Sequence, residues 1–156
     1  MLIAHLPAGY ILTRASHSKG AVMGLVLLAS VLPDFDMLWF HLVDNGQVLH
    51  HKYWPHIPAF WGMIALITLP LIAIQKRQWL LPAILFFVAI FLHLIMDTVV
   101  GDIMWLWPLS DQFFRFATVP ATQSNWVLSF MFHWSFLLEL LICAIAITLF
   151  FRKRNR

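Results

Sequence analysis

Charge is scarce in this 156-residue chain: 11% of its residues are Asp, Glu, Lys or Arg, among them a single glutamate, Glu139. An ordinary soluble domain carries about 25%. With 62% hydrophobic residues and a mean hydropathy of +0.82, the chain has more apolar surface than a small soluble domain hides. That excludes a free-standing soluble domain, a disordered chain and a nucleic-acid binder that works through a basic face. The net charge of +3 does not restore such a face, because Arg152, Lys153, Arg154 and Arg156 sit together at the end. Cysteine is nearly absent as well. Cys143 stands alone in an apolar run, so neither an internal disulfide nor a cysteine-based metal site is available. The apolar stretch Leu2 to Thr13 lacks the basic start and small-residue cleavage site of a signal peptide, and we expect it to be retained. Repeats and low-complexity segments are missing too. What remains is an all-α integral membrane protein: one embedded domain, residues 1–151, and a basic tail, 152–156.

A spanning helix needs about 20 apolar residues, each adding 1.5 Å across roughly 30 Å of hydrocarbon. Four segments qualify: about residues 20 to 40, interrupted near Pro33; Pro58 to Ile74; Trp79 to Val99; and Trp126 to Phe151. Leu2 to Thr13 is too short to span. Ile103 to Phe116, rich in Trp and Phe, reads as an interfacial or re-entrant segment. Arg14 and Lys19, Lys76 and Arg77, and the basic tail all fall on one side of this topology, which makes that side cytoplasmic. In a bacterium the loops 40–57 and 100–125 then face the periplasm from the inner membrane, and the C-terminus stays in the cytoplasm.

The polar residues that are present are an unusual set: eight His and six Asp. Counted from the cytoplasmic ends of their helices, His56 and Asp97 lie about 30 Å up, Asp34 about 22 Å and Glu139 about 20 Å. Groups from four segments thus converge in the outer half of the membrane, where unpaired acids are costly or neutralised. His93 and Asp97, at i and i+4, share a helix face. Asp34 and Asp36 flank Phe35 just after Pro33, and His50, His51 and His56 crowd one short loop. Each feature alone has an ordinary reading: a His–Asp hydrogen bond, acids at a helix end, a solvated loop. Together they call for a cation, and imidazoles mixed with carboxylates favour zinc, manganese or iron over magnesium or calcium. Glu139 is a candidate extra ligand or acid, or a packing residue.

Ala4-His5-Leu6-Pro7-Ala8-Gly9, Leu32-Pro33-Asp34-Phe35-Asp36, the pair His51 and His56, and His93 to Asp97 running on to Trp107-Pro108 together resemble the YdjM-like family. These are bacterial inner-membrane proteins described as metal-dependent hydrolases. The family pattern has an early His, a Pro-Asp-x-Asp motif, a His-Arg-Gly-x-Thr-His-Ser motif, and a His-x3-Asp helix followed by Trp-Pro. The resemblance covers nearly the whole chain. It implies metal-ligand roles for His5, Asp34, His56, His93 and Asp97, with Asp36 and His51 in or near the ligand set. The ligand order is also similar to that of zinc phospholipases C and related nucleases, which implies phosphoester bonds. Here Lys52-Tyr53-Trp54-Pro55 and Ile57 depart from the second motif, and Met37 stands where the family has His.

The expected function is therefore metal-dependent hydrolysis of a phosphoester on a lipid or lipid-linked substrate, with one or two ions, zinc first. Asp34 or Asp36 would act as base, and Lys52 or Arg115 would receive the phosphate. The alternative is a non-enzymatic metal-binding or regulatory membrane protein. Transport of metal or protons calls for polar residues through the whole membrane depth, whereas the cytoplasmic half of the second and third spans is almost entirely apolar. For His5 to join the site, the N-terminal segment must bend or lie inside the bundle, and Pro7-Ala8-Gly9 offers a break.

Overall fold

The computed structural model describes residues 1–45, 47 and 50–152. Among the described residues seven α-helices follow one another: α1 His5–Ala15, α2 Gly20–Ala29, α3 Asp36–Leu42, α4 Pro58–Gln75, α5 Leu80–Asp97, α6 Trp126–Met131 and α7 Trp134–Phe151. Single 3-10 turns occur at Pro33–Phe35, His50–Lys52, Trp54–His56 and Arg77–Trp79. No strand occurs among the described residues, apart from one isolated antiparallel bridge between Ile103 and Phe114. Past Arg152, the basic tail lies outside the described residues.

Among the described residues three helical segments are long and apolar enough to cross a membrane: α4, Arg77–Asp97 and α7. α2 and the segment Pro33–Leu42 are together long and apolar enough for a fourth, but they meet at 57°, the shape of a broken span or a re-entrant loop. Pro33 supplies the reason. Its ring nitrogen has no N–H to give, and it opens the 3-10 turn that redirects the chain. At α4 proline does the opposite, because Pro58 sits at the first turn, where its missing N–H costs nothing.

The expected single helix Trp126–Phe151 is instead two. His133 is extended, with φ −89° and ψ 147°, and its side chain caps α7 by accepting from the Ser135 amide, so α6 ends at Met131. The segment 103–116 is irregular. It is tied down where α5 ends: the Phe116 and Ala117 amides donate to the Thr98 and Val99 carbonyls at 2.8 and 2.9 Å.

α5 is the axis of the bundle, in contact with α1, α2 and α4, while α7 lies against α1. The main core joins Val26 and Ala29 of α2, Trp61 of α4, and Leu85, Phe87, Ala89, Ile90 and Leu94 of α5. A smaller cluster of Ala4, Ala8 and Met96 seats the start of α1. The outer faces carry exposed Leu66, Ile74, Leu137 and Leu141, as a bilayer-facing surface requires. α1 therefore lies inside the bundle, and its first residue is His5.

Candidate metal centre

α5 contributes the centre of the site. His93 and Asp97 share its inner face, both buried, with His93 Nε2 3.0 Å from Asp97 Oδ2. The other ring nitrogen, Nδ1, is 2.9 Å from the Ser30 carbonyl, to which it donates. That carbonyl is free because α2 stops beside it and Pro33 prevents the helix from continuing. Backbone geometry thus sets the tautomer that turns Nε2 toward Asp97.

α1 brings His5. Its ring stacks on that of His93 with 3.7 Å between centroids, and its Nε2 lies 3.1 Å from Asp97 Oδ1. The Met1 amino group reaches the same oxygen. Gly9 makes this approach of α1 to α2 possible: a Cβ there would stand 2.4 Å from Ser30 Oγ.

The turn after α2 brings Asp34, whose Oδ1 is 3.6 Å from His93 Nε2 and 3.8 Å from His56 Nε2. Its side chain is 39% exposed, at the open edge of the cluster. Asp36 is buried, and its Oδ2 takes the His56 Nδ1–H at 2.6 Å. That bond leaves His56 Nε2 pointing inward, 3.5 Å from Asp97 Oδ2. The His51 ring sits 4.8 Å from that of His56. Gly101 leaves it room, since a Cβ there would be 2.5 Å from His51 Cε1. Burial alone would push the His56 imidazole down. The carboxylates of Asp36 and Asp97 outweigh it and raise the pKa to about 9.

Among the described residues two sets of donor atoms converge. Those of His5, Asp34, His93 and Asp97 lie within 4.8 Å of one another, as do those of His51, His56 and Asp97. Asp97 belongs to both. Among the described residues, His5 Nδ1, Asp36 Oδ1, His93 Nε2 and Asp97 Oδ2 are buried without a hydrogen-bond partner. His93 Nε2 and Asp97 Oδ2 are 3.0 Å apart, yet a neutral ring whose Nδ1 donates to the Ser30 carbonyl has no proton on Nε2 to give. Such groups are expensive to leave unpaired, and a divalent cation resolves all of the inward-facing ones at once. The residues fit a metal ion, and nitrogen with carboxylate oxygen is a donor set suited to zinc, manganese or iron.

The other sequence-predicted residues stand apart. Glu139 is in neither set of converging donors, and its two oxygens accept the Leu2 and Ile3 amides. Lys52 extends over the Phe113 ring, its Nζ 5.8 Å from the ring centre. Arg115 pairs with Asp102 at 3.4 Å on the exposed loop. Sequence reasoning passed over Ser30 and the packing roles of Gly9 and Gly101. Pro33, three residues after Ser30, was the available signal for a carbonyl without a helical partner.

The chain belongs to the YdjM inner membrane protein family, whose model matches residues 1–156, its whole length. No curated protein and no solved structure matches it.

Proposed function

From that membership and this cluster, we propose that the protein is a membrane-bound metal-dependent hydrolase that cleaves a phosphoester of a lipid or lipid-linked substrate. Asp97 carries the reading. One carboxylate serves two sets of converging donors, while Asp34, half exposed, leaves the cluster open on one side. A structural site closes around its ion, whereas a catalytic one keeps a position for water or substrate. His5, Asp34, His93 and Asp97 would hold one zinc ion, and His51, His56 and Asp97 a second.

When bound, the cation supplies Lewis acidity and lowers the pKa of its water from 15.7 toward about 7. Asp34, at the open edge, accepts the proton of the attacking water. Asp36 and the Ser30 carbonyl hold the Nδ1 protons of His56 and His93, so both rings turn Nε2 toward the ion, His56 once it has released its second proton. Lys52, next in sequence to His51, is better placed than Arg115 to receive the phosphate. It lines a cavity of about 570 Å³ with Trp54, Phe60 and Trp107. A second cavity, about 510 Å³, has Leu32, Phe35, Trp39, Trp54 and Trp61 in its wall and shares Asp36 with the cluster. Its apolar lining supports a substrate that carries a hydrocarbon chain. The asymmetry of Lys and Arg supports a site that faces the periplasm.

The test is metal analysis of purified protein together with hydrolysis of phosphomonoester, phosphodiester and pyrophosphate lipids. Zinc-loaded protein is expected to hydrolyse one class. Asp34→Asn removes a ligand as well as the base, so it should weaken bound metal and lower turnover by at least the roughly 10²–10⁴-fold of a lost general base, and Asp97→Ala should abolish both metal and activity. Stable metal with no hydrolysis of any class would leave the regulatory, metal-binding reading in its place.

A further inference from the structure

α7 is an apolar helix whose outer face is exposed Leu137, Leu138 and Leu141, yet Glu139 in its first half is fully buried. An acid in such a helix is costly to insert, and its retention asks for a role. Its Oε1 accepts the Leu2 amide at 2.5 Å and its Oε2 the Ile3 amide at 2.6 Å. Both amides belong to the short non-helical stretch that leads directly into α1, whose first residue is His5. Irregular backbone at membrane depth must find partners within the protein, and one carboxylate satisfies two successive N–H groups here. The anion also lies near the N-terminal end of α1, the favourable end of its dipole.

We infer that Glu139 is a positioning residue: by clamping the Leu2 and Ile3 amides it holds His5 against Asp97 and so completes the metal site. It acts on the ion through the backbone and not as a ligand. Two other anchors compete: the Met1 amino group on Asp97, and the apolar seat of Ala4 and Ala8 against Met96 with Ile142 alongside. The inference concerns metal binding and stands whether or not the cluster hydrolyses anything.

The experiment is a zinc-binding isotherm on the purified full chain, with thermal unfolding followed in parallel. Glu139→Gln keeps the side-chain volume and replaces one acceptor oxygen by an NH2. It should weaken zinc about 10- to 100-fold, as loss of an outer partner of a ligand does, with little change in unfolding temperature. Ile3→Pro removes one of the clamped N–H groups and leaves Glu139 intact, so it should give a similar loss and keeps the test open if Glu139→Gln folds poorly. In a His5→Ala background either change should cost less than about twofold, because the residue it acts through is gone. Unchanged affinity in both variants would show that the Met1 contact and the apolar seat suffice, and would overturn the inference. Losses that multiply with that of His5→Ala would also overturn it, since Glu139 would then act on the ion or the fold directly.

Discussion

Asp97 meets three imidazoles, those of His5, His56 and His93, on two oxygens. A carboxylate so placed organises the site only if each imidazole presents the correct nitrogen, which is why Asp36 and the Ser30 carbonyl matter. Asp36→Asn keeps an acceptor for His56 Nδ1–H and loses the charge. It should weaken zinc about 10- to 100-fold without removing it, and an isotherm that matches the parent would detach Asp36 from the site. The same charge governs pH dependence. With its pKa near 9, metal-free His56 is an imidazolium at neutral pH, and zinc must displace that proton. Apparent affinity should rise about tenfold per pH unit up to about 9 and fall as pH is lowered. In Asp36→Asn the rise should end at lower pH. Isotherms across this range check both, and a flat parent profile would contradict them.

Each element delivers its ligand through an interruption of regular structure. α2 stops so that Ser30 offers a carbonyl, the turn at Pro33 turns Asp34 and Asp36 toward different partners, and α5 ends at Asp97 itself. Close approach of backbone does the rest. Gly101→Ala would place a Cβ 2.5 Å from His51 Cε1 and 2.9 Å from the Asp97 carbonyl, forcing a shift of the loop or of the ring. Overpacking of this kind costs about 1–3 kcal/mol. We expect a lower unfolding temperature together with loss of part of the bound metal. Gly24→Ala, where nothing lies within 4 Å of the added Cβ, is the control and should change neither. Equal behaviour of the two variants would show that the His51 loop tolerates the change.

The bundle as a whole turns apolar faces outward, as a bilayer solvent favours, and gathers four of its histidines and three of its aspartates beside the end of α5. Which way it sits is a matter of charge. The proposed orientation, with Lys76 and Arg77 on the cytoplasmic side, predicts that cysteines introduced at Gln47 and Gln123 react with an impermeant thiol reagent added to intact cells. One at Gln78 should not. The opposite labelling pattern would move the site to the cytoplasmic face and end the reading of a substrate taken from the outer leaflet.

Composition by itself determined that the chain is an all-α membrane protein, because apolar length and scarce charge are properties that no fold rearranges. The i, i+4 spacing of His93 and Asp97 and the acids after Pro33 were equally legible, being local. The sequence also marked Glu139 as odd, though not what it holds: its partners, Leu2 and Ile3, are far away along the chain and contribute only backbone amides, which every residue has. The division of Trp126–Phe151 at His133 was hidden for a related reason. Hydropathy runs on across the break, and a capping side chain competes with helix continuation only once neighbours are in place. The tertiary structure alone decided which side of His56 Asp36 occupies, that α1 lies within the bundle, and that one carboxylate serves both donor sets. Those outcomes depend on how helices approach one another, and close approach is set by small residues such as Gly9 and Gly101 and by free carbonyls such as that of Ser30, groups that carry no chemical signature of their own.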